Sequence, residues 1–415
     1  MPGWHDATAE LQAEGRLQMV GIIQEQHPDR ARLFMQWKQM DWPLMVDSLG
    51  LLGVTVVPIT VAIDEYGIIR KSGLRMSEAA EFARSFVETD YPPPDEPAAP
   101  HLARVTPGSL RPPEVTRDPE VWRRYGDALI VWERDSGVDG AIAAYRKSLR
   151  LDPDDGVTRF NLGVAYRMRY DSGLRRPGDF QSAVDAWSEA LAIDPNNYIW
   201  RRRIQQYGPR LDKPYPFYDW VPQARVDISG RGEDPSPLVA EPGGAEFADR
   251  ATTFTSDGES REPDPQGKIH RDKGHLVEAE SIVVPPTRDS GAAARVHLVF
   301  RPLAAMDAHW NNEVAGLVVW VDPPPGWEID RRLLTVPNPA TVVSDEVRRV
   351  EFELQQTVDA SPPGSSIRGS AYALYYVCEG IDGTCLYRRQ DIELVVFGDG
   401  GNGEGRDAPR GVGRQ

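Results

Sequence analysis

The 415-residue chain carries two cysteines, Cys378 and Cys385, and the stretch around them constrains the fold more than any other. Residues 371–377 are aromatic and apolar, residues 386–397 resume with Ile392, Leu394, Val395 and Val396, and Gly380 and Gly383 lie between. Two apolar runs joined through a glycine-containing loop of six residues, 379–384, predict a β-hairpin. Cysteines flanking such a loop face each other across the ladder, where Cα atoms stand roughly 4.5 to 5.5 Å apart, inside the window a disulfide requires. A disulfide fits this hairpin without distortion.

Further short runs predict an antiparallel sandwich upstream: residues 277–284, 294–300, 316–321, 348–354, 370–377 and 386–396, with Pro323-Pro324-Pro325-Gly326 breaking the sheet. The pattern Tyr-x-x-Cys, a short Gly-containing loop, then Cys-x-Tyr resembles the N-terminal, immunoglobulin-like domain of the DsbD-type thiol:disulfide interchange proteins. The likeness reaches back to about Glu278 and includes the segment from Trp320 to Trp327. In that family the cysteine pair passes electrons to partner proteins outside the cytoplasm, so the resemblance implies redox roles for Cys378 and Cys385. The residues themselves leave three readings open: a cycling pair, a structural staple, or two free thiols. Residues 308–313, Ala-His-Trp-Asn-Asn-Glu, read as a loop that orders the sandwich end or covers the cysteine hairpin. His309 with Glu313 is too little for a metal, because a closed zinc site needs four ligands.

Length sets the domain count. At about 100 to 150 residues per domain, this chain divides into two to four, and the patterns give three. A formal charge of -16 and a pI near 5.0 argue against nucleic acid, whose phosphates demand clustered Lys and Arg. No run of 18 apolar residues predicts a membrane span, and Met1 is followed by no basic region and apolar core of a signal peptide. The resemblance implies an extracytoplasmic, periplasmic setting, the missing leader a cytoplasmic one, and the two expectations conflict.

From the N-terminus, residues 17–23 read as a buried strand, 29–40 as a helix with Leu33, Phe34 and Trp37 at helical spacing behind Pro28, and 42–46 as a second strand. Residues 53–70 give a strand, a tight Asp-Glu-Tyr-Gly turn and a returning strand, and 76–87 a closing helix. This order, with Val57-Pro58 entering the hairpin, resembles the later two thirds of a thioredoxin-like redoxin domain. The resemblance implies a cis peptide at Pro58. It also implies a first strand and a Cys-x-x-Cys at about residues 4–15, where no cysteine stands. Without a thiolate there is no nucleophile for disulfide exchange. Either this part has lost its catalysis or the missing segment lies upstream; a sheet lacking a central strand exposes an apolar edge, which favours the second. His5, Asp6 and Glu25 form the one substitute acid-base set on offer, against a reading as solvated surface or caps.

Residues 91–117 turn to Pro, Ala and Glu, a linker composition. Residues 118–211 contain an internal repeat: Ala141, Tyr145, Ser148 and Pro153 match Ala183, Trp187, Ala190 and Pro195, forty-two residues apart. With Asn161-Leu-Gly163-x-Ala165-Tyr166 before the second copy, the order resembles the tetratricopeptide repeat. That family's period is about 34 residues, and the surplus fits an insertion at residues 171–179. Small residues let paired helices approach while Tyr or Trp fills the groove beside them; residues 197–207 predict a closing helix. The resemblance implies protein partners, with Arg123, Arg124, Arg159, Arg167 and Arg169 either forming a basic face or merely solvated.

Residues 213–220 staple the chain to the last repeat helix, 212–275 form an irregular connection, and 398–415 a disordered tail. No phosphate-binding, dinucleotide or nucleophile-elbow motif is present, and no cofactor is implied. The expected fold class is therefore multidomain α+β: a partial thioredoxin-like α/β domain over residues 1–90, an α-helical tetratricopeptide array, and an all-β immunoglobulin-like sandwich over 276–397. The expected function is thiol-disulfide exchange with a protein partner met through the repeats and the cysteine hairpin. The alternative is a non-catalytic scaffold in which the disulfide staples a short loop, worth about 2 to 3 kcal/mol in the entropic account.

Overall fold

The computed structural model describes residues 1–54, 57–94, 106, 108–114, 116–208, 220–238, 261–286, 293–329, 331–357, 366–380 and 384–397. The chain is α+β and forms two compact units. The first takes Met1–Arg175, Ile193–Arg203 and Tyr218–Glu241; the second takes Arg176–Ala192, Ile204–Phe217 and Pro242–Gln415.

Unit one opens with helix α1 (Pro2–Ala13), where proline stands in the first turn and its missing N–H is no loss. Strand β1 (Gly21–Ile23), helix α2 (Asp29–Trp37) and strand β2 (Leu44–Val46) make a parallel crossover, Gly21 pairing Leu44. The first strand is shorter than the apolar run predicted. The helix stops early because Gln39 turns to φ 51°, a conformation that cannot continue it. The Val57–Pro58 bond is cis. Strands β3 (Val61–Ile63) and β4 (Ile69–Ser72) form a separate antiparallel hairpin. Its turn is held by Asp64, whose Oδ1 accepts from the Tyr66 and Ile68 amides at 2.9 Å each while Gly67 takes φ 79°. A short 3-10 turn and helix α3 (Ala79–Glu88) follow. Val61 and Ile63 of β3, with Val57 and Ile59 before it, are 41% exposed or more.

The helices of unit one are capped as their sequences dictate. Asp118 accepts from the Glu120 amide at the start of α4 (Pro119–Ala128), and Asp155 from the Thr158 amide at the start of α6 (Gly156–Asp171). Between them, irregular helical turns over Leu129–Gly137 lead into α5 (Val138–Leu151). A Cβ on Gly126 would stand 2.5 Å from the buried Tyr145 ring, so only glycine lets α4 and α5 approach this closely. At their crossing, the Asp127 carboxylate accepts from Tyr145 Oη and Asn161 Nδ2 at 2.8 Å each and from Arg123 Nη1 at 2.9 Å. Arg203, 1% exposed, donates to Gln26 Oε1 at 2.6 Å and to the carbonyls of Gln24 and Ser48 at 2.7 and 3.1 Å, tying a distant helix to the loops after β1 and β2.

In unit two, α7 (Asp179–Ile193, its last residue in unit one) buries Phe180 and Trp187, and Trp187 stacks on Tyr207 at 5.7 Å. Helix α8 (Tyr198–Gln205), whose residues to Arg203 belong to unit one, occupies most of the stretch predicted to close the repeats. Helix α9 (Trp220–Gly230) belongs to unit one, where Trp220 stacks on Trp37 of α2 at 5.8 Å. That corrects the predicted staple, since Trp220 meets α2, and α9 stands where the connection over 212–275 was expected to be irregular; residues 209–219 and 239–260, most of the Pro-rich linker and the tail from 398 lie outside the described residues.

Two antiparallel sheets make the rest of unit two. One has the order β5 (Val277–Val284), β6 (Ala293–Pro302), β12 (Arg348–Gln356), β9 (Trp327–Ile329). The other has the order β10 (Leu333–Val336), β8 (Leu317–Asp322), β13 (Ser366–Glu379), β7 (Ala308–Asn311), β11 (Val343–Ser344), with β14 (Cys385–Phe397) along the opposite edge of β13. Val296, Leu298 and Phe300 of the first sheet and Val319, Ala373, Tyr375 and Leu394 of the second share one buried core. The exposed edge of β5 is covered by a side chain: Gln181 of α7 accepts from the Val283 amide at 2.8 Å and donates to its carbonyl at 3.1 Å, as a neighbouring strand would. Among the described residues, no helix is long and apolar enough to cross a membrane.

Candidate functional site at the cysteine hairpin

Strand alternation decides the site. On β13, Ala371, Ala373, Tyr375 and Val377 enter the core, so Tyr372, Leu374, Tyr376 and Cys378 project from the outer face. Cys378 pairs Cys385 at the last rung of the β13–β14 ladder, and the two form a disulfide with Cα atoms 3.9 Å apart. One rung in, Tyr376 and Tyr387 stack at 4.4 Å on the same face.

The two sulfurs are placed differently because their strands are. Cys378 lies on a strand flanked on both sides, by β14 and by β7, and is 2% exposed. Cys385 begins an edge strand and is exposed. On its other side, the register partner of Cys378 is His309 of β7.

This overturns the expectation that residues 308–313 form a loop. Ala308–Asn311 is a strand with alternating burial, Ala308 and Trp310 inward, and it pairs Val377, Cys378 and Glu379. The Trp310 indole is fully buried and donates to the Glu346 carbonyl at 2.8 Å. The alternation Ala-His-Trp-Asn carried a strand signal, but four residues bounded by polar side chains are too short to stand out as one.

Behind the hairpin, on its core face, burial and then the adjoining Asp272 carboxylate push the Tyr375 phenol far above its ordinary range; its hydroxyl donates to Asp272 Oδ2 and lies 2.9 Å from Gln390 Oε1. A shallow cleft of about 550 Å³ opens there among His270, Asp272, Leu276, Met306, Leu386 and Arg388. Leu386 packs toward the core and Arg388 follows it by alternation, so the cleft lies on the reverse side of the hairpin from the sulfurs.

The other residues singled out in the sequence are scattered. His5 Nε2 meets Asp41 Oδ1 at 3.0 Å and Nδ1 stands 3.8 Å from Asp6, whereas Glu25 is held by Arg30 at 3.0 Å, so the three do not converge. Glu313 sits past the end of β7, its amide bonded to Asn311 Oδ1, and among the described residues no group of three or more side chains could hold a metal. Of the five arginines, Arg123 meets Asp127, the largely exposed Arg124 meets Glu120, Arg159 donates to the Pro153 carbonyl, and the buried Arg167 and Arg169 meet Asp171 and Asp139. No protein-family model matches the chain, and no curated protein matches it.

Proposed function

We propose that the chain is a thiol-disulfide exchange protein whose working pair is Cys378 and Cys385. The observation that carries this is the asymmetry of the disulfide: one sulfur on an exposed edge strand, its partner buried between two strands. Exchange needs one sulfur open to attack and a second held ready as leaving group and resolver. A partner thiolate attacks Cys385 Sγ, the bond to Cys378 breaks, and the electron pair departs on Cys378 Sγ. The partner's second thiolate then attacks the mixed disulfide, its own disulfide forms, and Cys385 leaves as thiolate. Two electrons and two protons pass to the pair, and the reverse steps return them.

The likeness of the hairpin to the interchange-protein module, and the helical pairs that resemble tetratricopeptide repeats, support this reading by supplying a redox element and a partner-holding element in one chain. The N-terminal part resembles a redoxin without its cysteines, and we assign it no chemistry. A stapled, non-catalytic scaffold is the second reading; it is favoured by the position of the disulfide at the last rung of a long hairpin, where a cross-link prevents fraying. The reduction potential separates them, measured by alkylation and mass spectrometry of the full chain across dithiol buffers. A value in the range of known exchange catalysts, about -120 to -270 mV, supports a cycling pair; one below about -300 mV marks a staple and rejects the redox assignment.

A further inference from the structure

We propose that His309 is the positioning residue that stabilises the Cys378 sulfur as leaving group, an assignment that rests on the redox reading above. Cys378 has two register partners, Cys385 on one side and His309 on the other. Directly paired residues project from the same face with Cβ atoms about 4.5 to 5.5 Å apart, so the imidazole and both sulfurs form one row across three strands. The ring is oriented by the turn before it. Asp307, at φ 49°, presents a carbonyl that accepts from the Gly380 amide at 3.0 Å and from His309 Nδ1 at 3.4 Å. A carbonyl only accepts, so Nδ1 is the donor in this contact. One backbone oxygen thus aligns the cysteine loop and the imidazole together.

The charges around this row make the imidazole matter. Asp307 precedes it and Asp345 follows Ser344, which pairs the adjacent Trp310 from β11, both anionic, whereas Glu379 pairs the inward Ala308 and lies on the opposite face. From β6, Arg301 is engaged by Glu280 at 3.5 Å, and Arg388 of β14 projects from the opposite face. On the three strands of the site, among the described residues, His309 is the group within one rung on that face that can carry positive charge. Protonated, it holds the electron pair released onto Cys378 Sγ when the disulfide opens, and it can pass a proton to that sulfur as the dithiol forms. Thiolates beside a cationic imidazole are stabilised by this means.

The full chain carrying His309→Gln, with His309→Lys as a variant that keeps a cation, tests this against wild type. Three quantities are read: the rate of reduction by dithiothreitol, its pH profile, and the reduction potential. Glutamine is expected to slow reduction about tenfold, to change its pH profile, and to make the pair harder to reduce by about 30 mV if the equilibrium shifts tenfold. Lysine is expected to restore rate and potential but not the wild-type profile. Glutamine with wild-type rate, profile and potential overturns the role of His309 while leaving the redox assignment standing. A wild-type pair that resists reduction below about -300 mV rejects the redox assignment and His309's role with it.

Discussion

Replacing His27 by glutamine measures how much acid sensitivity a single buried imidazole gives unit one. His27 is 8% exposed. Burial, followed by the charges of Arg167, Arg203 and Arg30, holds its pKa down to about 2 from 6.5. Asp171 stands 3.7 Å from Nε2 and pulls the other way, but its carboxylate is already engaged by Arg167 at 3.1 Å. The imidazole is therefore neutral in the folded chain, while in the unfolded chain it takes up a proton below its ordinary value of about 6.5. The folded value is depressed, so the stability is present above that pH and is lost as pH falls toward 2, at about 1.4 kcal/mol per pH unit. Roughly two units below 6.5, near pH 4.5, the loss from this one group is about 2.7 kcal/mol. Urea denaturation of wild type and His27→Gln near pH 7 and near pH 4.5 isolates it. Whatever packing the substitution disturbs at neutral pH, the stability gap between the two proteins should move by about 2.5 kcal/mol in the variant's favour on acidification. A gap that stays constant refutes the claim that His27 is held neutral.

Three further outcomes are expected. Burial would raise the Glu351 carboxyl, but the hydrogen bond and charge of His297, with Arg295, hold it down to about 2; Glu351→Gln should cost about 2 to 3 kcal/mol at neutral pH, an effect that fades as pH falls from about 4.5 to 2 in denaturant titrations. Gly126→Ala places a methyl 2.5 Å from the fully buried Tyr145 ring, and calorimetry should show overpacking worth about 1 to 3 kcal/mol. Gln181→Ala uncovers the Val283 amide and carbonyl; hydrogen exchange at Val283 should accelerate, with a stability loss of about 1 to 3 kcal/mol.

What could be read along the chain was whatever depends on near neighbours. Strand β5 fell on the residues its apolar run marked, and the cysteine hairpin formed where glycine and alternation placed it. The 42-residue spacing of Tyr145 and Trp187 was legible, whereas the 34-residue spacing of Asp127 and Asn161 was not, because a polar residue declares itself as buried only once its partner is in place.

The amino-acid order by itself marked helices α2, α3, α5 and α7, the longer strands and the hairpin that brings Cys378 to Cys385, since periodicity, caps and turn residues act within a few positions of each other, whereas helices α1 and α9 were not legible in it. Tertiary structure alone decided that β7 is a strand lying against β13, that His309 therefore stands beside Cys378, and that Cys378 is a buried residue while Cys385 is an exposed one. The reason is that exposure belongs to a strand's neighbours. Cys378 and Cys385 have the same chemistry and mirror-image local sequence, and only the order of strands across the sheet makes one of them central and the other an edge.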